Sequence, residues 1–245
     1  MRLADVSSTG RVRLDAIARM LQDVSGDDTV DAAQAPDAAW VVRRIALELV
    51  GRQPRLRDDV ALVTWCSGIG PRWAERRTDL ARVETDGRAG EVFARASALW
   101  VLVDVESGRP LPLPAAFDAV YGEAAAGRRV GQRLRHGPPP AGGSRSPWPL
   151  RVTDVDVLGH VNNAAYWEPV EEVLAALTPR RAPARAELEF RGGLDPSDSV
   201  DLIAVGSGSA GDEVRVWLTV GADVRASAVI QLAPGGSREA SRPSA

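Results

Sequence analysis

The sequence predicts an α+β protein made of two copies of one unit, a helix followed by antiparallel strands. Three observations predict it. Helical periodicity near the start gives way to a run of strand-like segments, with no alternation of strand and helix. The same order returns after a proline-rich stretch. The two stretches also align. Residues 58–68 lie opposite 198–208, an offset of 198 − 58 = 140, and Gly10-Arg11-Val12 lies opposite Gly159-His160-Val161, an offset of 160 − 11 = 149. A fixed order of elements repeated in this way indicates a duplicated unit. The length of 245 residues fits one large domain or two small ones.

The elements follow in order. Val12, Ile17, Met20, Leu21 and Val24 fall near helical spacing, so a helix is expected over 11–24, ended by Gly26-Asp27-Asp28. Strands are expected over 40–50, 59–67, 73–83 and 91–105, with Thr85-Asp86-Gly87 as the hairpin turn between the last two. Ser107-Gly108-Arg109-Pro110 breaks the pattern. A short helix over 115–126 and a Pro138-Pro139-Pro140-Ala141-Gly142-Gly143-Ser144 linker come next. Beyond it the sequence reads as a short strand at 149–153, a helix over 162–177 interrupted by Pro169, and strands over 185–191, 199–207, 213–220 and 224–232. The Gly/Ser/Arg-rich end reads as disordered. The expected division is 1–105 for the first unit, 106–147 for the linker with its short helix, 148–233 for the second unit and 234–245 for the tail.

Composition excludes several chemistries. All 30 basic residues are arginine, so lysine Schiff-base chemistry is ruled out and any anion-binding surface is built from guanidinium forks. Cys66 is the single cysteine, so no intramolecular disulfide can form, and with His136 and His160 as the only histidines no Cys-rich or multi-His metal site is expected. The net charge of −3 argues against general nucleic-acid affinity. No apolar stretch approaches the roughly 20 residues of a membrane span, and the first residues lack a signal-peptide pattern, so a cytoplasmic location without membrane association is expected.

The chemistry is concentrated in Asp154-Val155-Asp156-Val157-Leu158-Gly159-His160-Val161-Asn162-Asn163-Ala164-Ala165-Tyr166-Trp167-Glu168. This segment runs from a strand into a helix, where free backbone N–H groups suit a developing oxyanion. A carboxylate there can act as base or nucleophile, with an imidazole or amide orienting water. Asp156, His160 and the asparagines also have plain structural readings, as caps or turn closers.

This run resembles the signature of hotdog-fold thioesterases. It is most similar to the acyl-ACP thioesterase family, whose members are tandem double hotdogs. Trp40-Val41-Val42-Arg43-Arg44, Thr64-Trp65-Cys66-Ser67-Gly68, Arg72-Trp73-Ala74-Glu75-Arg76-Arg77 and Trp100-Val101-Leu102-Val103-Asp104 resemble the N-terminal domain of that family. The resemblance implies an α+β fold of two tandem hotdog domains, each a long helix wrapped by a curved antiparallel β-sheet. It implies hydrolysis of fatty-acyl thioesters in lipid metabolism and fatty acid biosynthesis, with no metal or redox cofactor. The substrate is carried on acyl carrier protein or coenzyme A. It implies a monomer or homodimer, and an acyl channel lined mainly by the first domain.

Carried over by position, the family's catalytic Asp and His fall on Asp156 and His160, with oxyanion donors expected over 159–162. Plant members carry Asn between the two, where this chain has Leu158, and Cys or Glu beyond the next strand, where it has Arg191-Gly192-Gly193-Leu194 with Asp195 nearby. The candidate catalytic set is Asp156, His160, Asn162 and Glu172. Glu172 lies ~16–18 Å along a straight helix from His160, so it reaches the site only if Pro169 bends that helix, and a structural role is the other reading. Candidate substrate contacts are Asn163, Trp40, Trp65 and Trp73. Arg43, Arg44, Arg72, Arg76 and Arg77 could form an outward patch for an acidic carrier protein, with Arg128, Arg129, Arg133 and Arg135 as a second such group. A non-catalytic acyl-binding hotdog remains the alternative from another class.

Overall fold

The computed structural model describes residues 1–31, 38–179, 181–206 and 212–234; the expected tail lies, apart from Pro234, outside them. Helix α1 spans Leu14–Asp31. Leu14, Ile17, Ala18 and Leu21, spaced at i, i+3, i+4 and i+7, are all buried. The helix does not stop at Gly26 as the sequence suggests. A helical glycine costs only about 1 kcal/mol, which a well-packed helix absorbs, and Asp28 beyond it is held by Arg76.

Strands β1 (Ala38–Leu49), β2 (Val60–Ile69), β3 (Trp73–Val83) and β4 (Ala89–Asp104) follow, then helix α2 (Ala115–Ala125). The second half contributes β5 (Ser144–Trp148), helix α3 (Glu168–Leu177) and strands β6 (Pro183–Phe190), β7 (Val200–Gly206), β8 (Glu213–Val220) and β9 (Asp223–Leu232). The strand expected at 149–153 is displaced. Pro149 has no N–H for a ladder, so pairing with β7 ends at Trp148, and Val152–Asp154 winds into a 3₁₀ turn.

All nine strands form one antiparallel sheet in the order β2-β3-β4-β1-β6-β9-β8-β7-β5. From the outer side inward the first half reads β2, β3, β4, β1 and the second reads β7, β8, β9, β6, with β5 added outside β7. The halves are therefore related by a pseudo-two-fold axis through the β1–β6 pair. The register agrees: Arg44 pairs with Glu189, Ala46 with Glu187 and Glu48 with Arg185. An offset of 185 − 44 = 141 exchanges the two ends of this ladder, placing arginine opposite arginine and glutamate opposite glutamate in the repeat.

The core lies on the face of the sheet that packs against both helices. Ile45, Leu47, Ala186 and Leu188 face it from the central pair, together with Trp167 and Phe93, which are fully buried. A bulge between Val42 and Arg44 lets Val42 and Ile45 both point inward despite their odd separation. Glu187 and Glu189 alternate with these residues onto the other face. There the segment after α2 crosses the sheet as a strap. Trp73 donates to the carbonyl of Val130 (2.7 Å), Trp217 donates to that of Gly137 (2.9 Å), and the N–H groups of Arg135 and His136 donate to the Glu189 carboxylate. The His136 imidazole also meets Glu187 (3.2 Å) and Ser227. These contacts explain how Glu189, at 0% exposure, is accommodated. Among the described residues no helix is long and apolar enough to cross a membrane.

Because the central pair carries the core of both halves, Leu188→Ala should cost about 2–5 kcal/mol. Urea denaturation followed by tryptophan fluorescence and by far-ultraviolet circular dichroism should show one shared transition shifted to lower urea, not the loss of one half.

Candidate active site

The catalytic candidates sit on a loop closed by its own backbone. Arg151 N–H donates to Asp154 Oδ2 (2.8 Å), and Val155 and Val161 form an isolated antiparallel bridge. Between them Asp156 N–H donates to the carbonyl of His160 (3.0 Å), and Gly159 N–H donates back to the carbonyl of Asp156 (3.0 Å). Gly159 has φ +78°, a left-handed conformation that glycine adopts without strain. The loop exposes Val157 and Leu158 at its tip and holds Asp156 half-buried at its base.

The Asp156 carboxylate has few partners. Leu158 N–H donates to Oδ1 (2.9 Å) and the Asn162 amide donates to Oδ2 (3.4 Å). Asn162 is itself oriented, since its Oδ1 accepts the N–H of Ala164 (2.9 Å) and its N–H donates to the carbonyl of Asp154 (2.8 Å). This fixes which face of Asn162 meets Asp156. Asp156 opens onto a cavity of ≈530 Å³ that runs into the first half between α1, α2 and the sheet. Asn163 lines its mouth, and Trp40, Cys66, Trp100 and Phe117 line its body. Phe117 packs on Trp40 at 5.6 Å and on Tyr121 at 4.7 Å between ring centroids, so α2 forms an aromatic roof.

The cavity wall also holds a polar cluster. Arg76 pairs with Asp28 and lies 6.0 Å from the centroid of Tyr121, whose hydroxyl donates to Asp28 (2.8 Å). Arg76 therefore points inward, tying β3 to α1 and α2, and does not belong to the outward arginine patch expected from sequence. Burial, reinforced by the Asp28 charge, pushes the Tyr121 phenol up to about 12. Burial likewise raises the Cys66 thiol, which suits a wall residue and not a nucleophile.

The structure brings Asp156, Asn162, Asn163 and Trp40 together. It places the other candidates elsewhere. His160 is exposed on the outer side of the loop, off the cavity, and only its carbonyl takes part in the turn. Glu172 lines a second cavity with Ser7, Arg13, Arg151 and Glu168, on the opposite side of the pseudo-axis. The reason is helix phase: α3 starts only at Glu168, and its acidic face points at the first half's loop, where Glu171 binds Arg11. Trp65 alternates with Cys66 and so faces away from the cavity. Trp73 also lies on the outer face, holding the strap. The N–H groups of Gly159, Val161 and Asn162, expected as oxyanion donors, are all bonded within the protein. Asp195 bonds the hydroxyl and N–H of Ser197, which hold its carboxyl low, with His160 adding a smaller effect.

A paired-hotdog sheet with a half-buried carboxylate beside an apolar cavity is an architecture that suits a thioesterase. The sequence matches the Acyl-ACP thioesterase N-terminal domain over residues 1–121 and the Acyl-ACP thioesterase C-terminal domain over residues 139–229. It is 30% identical over 233 residues to uncharacterized protein Rv2001 of Mycobacterium tuberculosis, covering 93% of this chain and 87% of that one. It is 25% identical to the chloroplastic oleoyl-acyl carrier protein thioesterase of Coriandrum sativum over 68% of this chain and 50% of that one. The fold is that of the 12:0-ACP thioesterase from Umbellularia californica (TM-score 0.79, 19% identity, 96% and 95% of the two chains). It is also that of an acyl-ACP thioesterase from Bacteroides thetaiotaomicron (TM-score 0.78, 16% identity, 95% and 94%). The chain belongs to the acyl-ACP thioesterase family.

The protein has two tyrosines, and burial raises Tyr166, like Tyr121, to about 12. Tyrosinate absorbance should therefore stay flat through pH 10 and rise for both residues near pH 12. In Asp28→Ala, Tyr121 loses the neighbouring negative charge and should titrate earlier than Tyr166.

Proposed function

We propose that the protein hydrolyses fatty-acyl thioesters of acyl carrier protein and releases the free acid. The observation that carries this reading is Asp156, which lies at the mouth of an aromatic and aliphatic cavity. The acyl chain enters that cavity and its thioester stays at the loop. Asp156 acts as general base toward water, or attacks the carbonyl carbon directly. In the first course its carboxylate takes a proton as the water oxygen bonds to the carbonyl carbon. The intermediate then expels the thiol, which recovers that proton. Asn162 holds the carboxylate in one orientation. A desolvated apolar channel contributes binding energy in proportion to the chain area buried, about 25 cal/mol per Å².

Asp156→Ala should lower kcat by roughly 10²–10⁴-fold, the usual contribution of a positioned base, without lowering the melting temperature. The assay is hydrolysis of acyl carrier protein thioesters of graded chain length, with matched coenzyme A thioesters beside them. A higher kcat/KM on the carrier-protein series supports the proposal, and a higher value on the coenzyme A series moves the assignment to an acyl-CoA thioesterase. Full activity in Asp156→Ala overturns the assigned chemistry, and tight binding without turnover in the wild type makes the protein an acyl-binding hotdog.

A further inference from the structure

The two halves repeat residue by residue around the start of each helix. An offset of 149 takes Val6 to Val155, Gly10 to Gly159 and Val12 to Val161. Both valine pairs form isolated bridges, and both glycines are left-handed, with φ of +79° and +78°. The match continues into the helices, since Ile17, Ala18 and Leu21 correspond to Tyr166, Trp167 and Val170, all of them buried. One turn position further, Gln22 corresponds to Glu171, and at the helix start Leu14 corresponds to Asn163.

In the first half this geometry is closed. Glu171 reaches across the pseudo-axis from α3, and its Oε1 accepts the N–H of Leu14 (2.6 Å) and an Arg11 N–H (3.0 Å). A carboxylate oxygen from one half thus sits on the backbone N–H of the other. In the second half the equivalent N–H, that of Asn163, has no acceptor among the described residues. The residue equivalent to Glu171 is Gln22, whose side-chain amide makes no hydrogen bond among them. Gln22, Asn163 and Asp156 line the same cavity. The helix-start N–H is bonded to a carboxylate oxygen in one half and, among the described residues, to no protein acceptor in the other. By the pseudo-symmetry the Gln22 amide, which can donate, stands where the other half has the Glu171 carboxylate, on the wall of the cavity that Asn163 and Asp156 also line.

We infer that Gln22 is a catalytic residue, supplied by the first half to the site of the second. Its Nε2 and the Asn163 N–H hold the thioester carbonyl oxygen as it becomes an oxyanion. The inference rests on the proposed hydrolysis at Asp156. As the nucleophilic oxygen bonds to the carbonyl carbon, the π pair moves onto the carbonyl oxygen, and two donors already aimed there stabilise it more than water does because they need no reorientation. The pair returns to carbon when the carbon–sulfur bond breaks. Glutamate at position 22 would restore the closed arrangement of the other half and set a second negative charge against the oxyanion.

The test uses the full chain with the acyl thioester that the wild type turns over fastest. Gln22→Ala should lower kcat about 10²-fold with KM nearly unchanged, the known cost of one lost oxyanion donor, and Gln22→Glu should lower it further. Melting curves confirm that both variants fold. Separately, the carbonyl stretch of an acyl thioester bound to Asp156→Ala protein should lie at a lower frequency than in Asp156→Ala/Gln22→Ala. Unchanged kcat in both single variants, a change confined to KM, or identical carbonyl bands overturns the role of Gln22. If the wild type turns over no acyl thioester, the hydrolase reading fails, while the carbonyl comparison still decides whether Gln22 contacts the substrate.

Discussion

The rest of the structure depends on the antiparallel contact between β1 and β6. A single four-stranded sheet with one helix leaves the edge of its β1 or β6 equivalent open, with unpaired N–H and C=O groups along it. Pairing these two edges makes one nine-stranded sheet and stacks the apolar faces of both halves into a continuous core. It also brings each helix start within reach of the opposite helix, which is how Glu171 comes to bind Leu14 and Arg11. Sheet register, core and site are therefore set by one ladder of five residue pairs.

The symmetry of that ladder is broken where function needs it broken. Glu48 keeps its ion pair with Arg185 at 2.7 Å. Its counterpart Glu189 does not bond Arg44 but is taken over by the strap and by Arg191 (3.2 Å). The strap runs from Trp73 of the first half to Trp217 of the second, and it engages the glutamate on one side of the axis only. The large cavity is one-sided too: α2 roofs it in the first half with Phe117 and Tyr121, while β5 of the second half extends the edge of the sheet beyond β7. The cavity lies in one half, and the other presents Asp156 to it.

Much of the fold was legible in the sequence because its signals are local. Alternation placed the strands within a residue or two, and the offsets of 140 and 149 disclosed the duplication. The exceptions are also local in origin. Gly26 reads as a stop but is overridden by packing and by Arg76, and Pro149 ends a strand where a strand was expected to begin. In the site, Asp156, Asn162 and Asn163 were readable because a short loop carries all three. Trp40 was separable from Trp65 and Trp73 only by knowing which sheet face is covered. Glu172, set ~16–18 Å from His160 by a straight helix, lines the second cavity, where a 3₁₀ turn ahead of α3 fixes the phase of that helix. Gln22 lies 134 residues before Asp156 (156 − 22), and only the pseudo-axis brings them together.

Covalent fusion of the two units has a genetic consequence. In a dimer of identical chains every substitution is made twice, so a change that widens a lipid slot in one subunit is imposed on the acid loop of the other. Here residue 22 could be an amide while residue 171 stayed an acid, and residue 7 could be serine while residue 156 became aspartate. Tandem linkage turns a constrained pair into two independently mutable surfaces. The cavity wall of the amino-terminal unit, Gln22 apart, can then change without an equal change in the Asp156 loop.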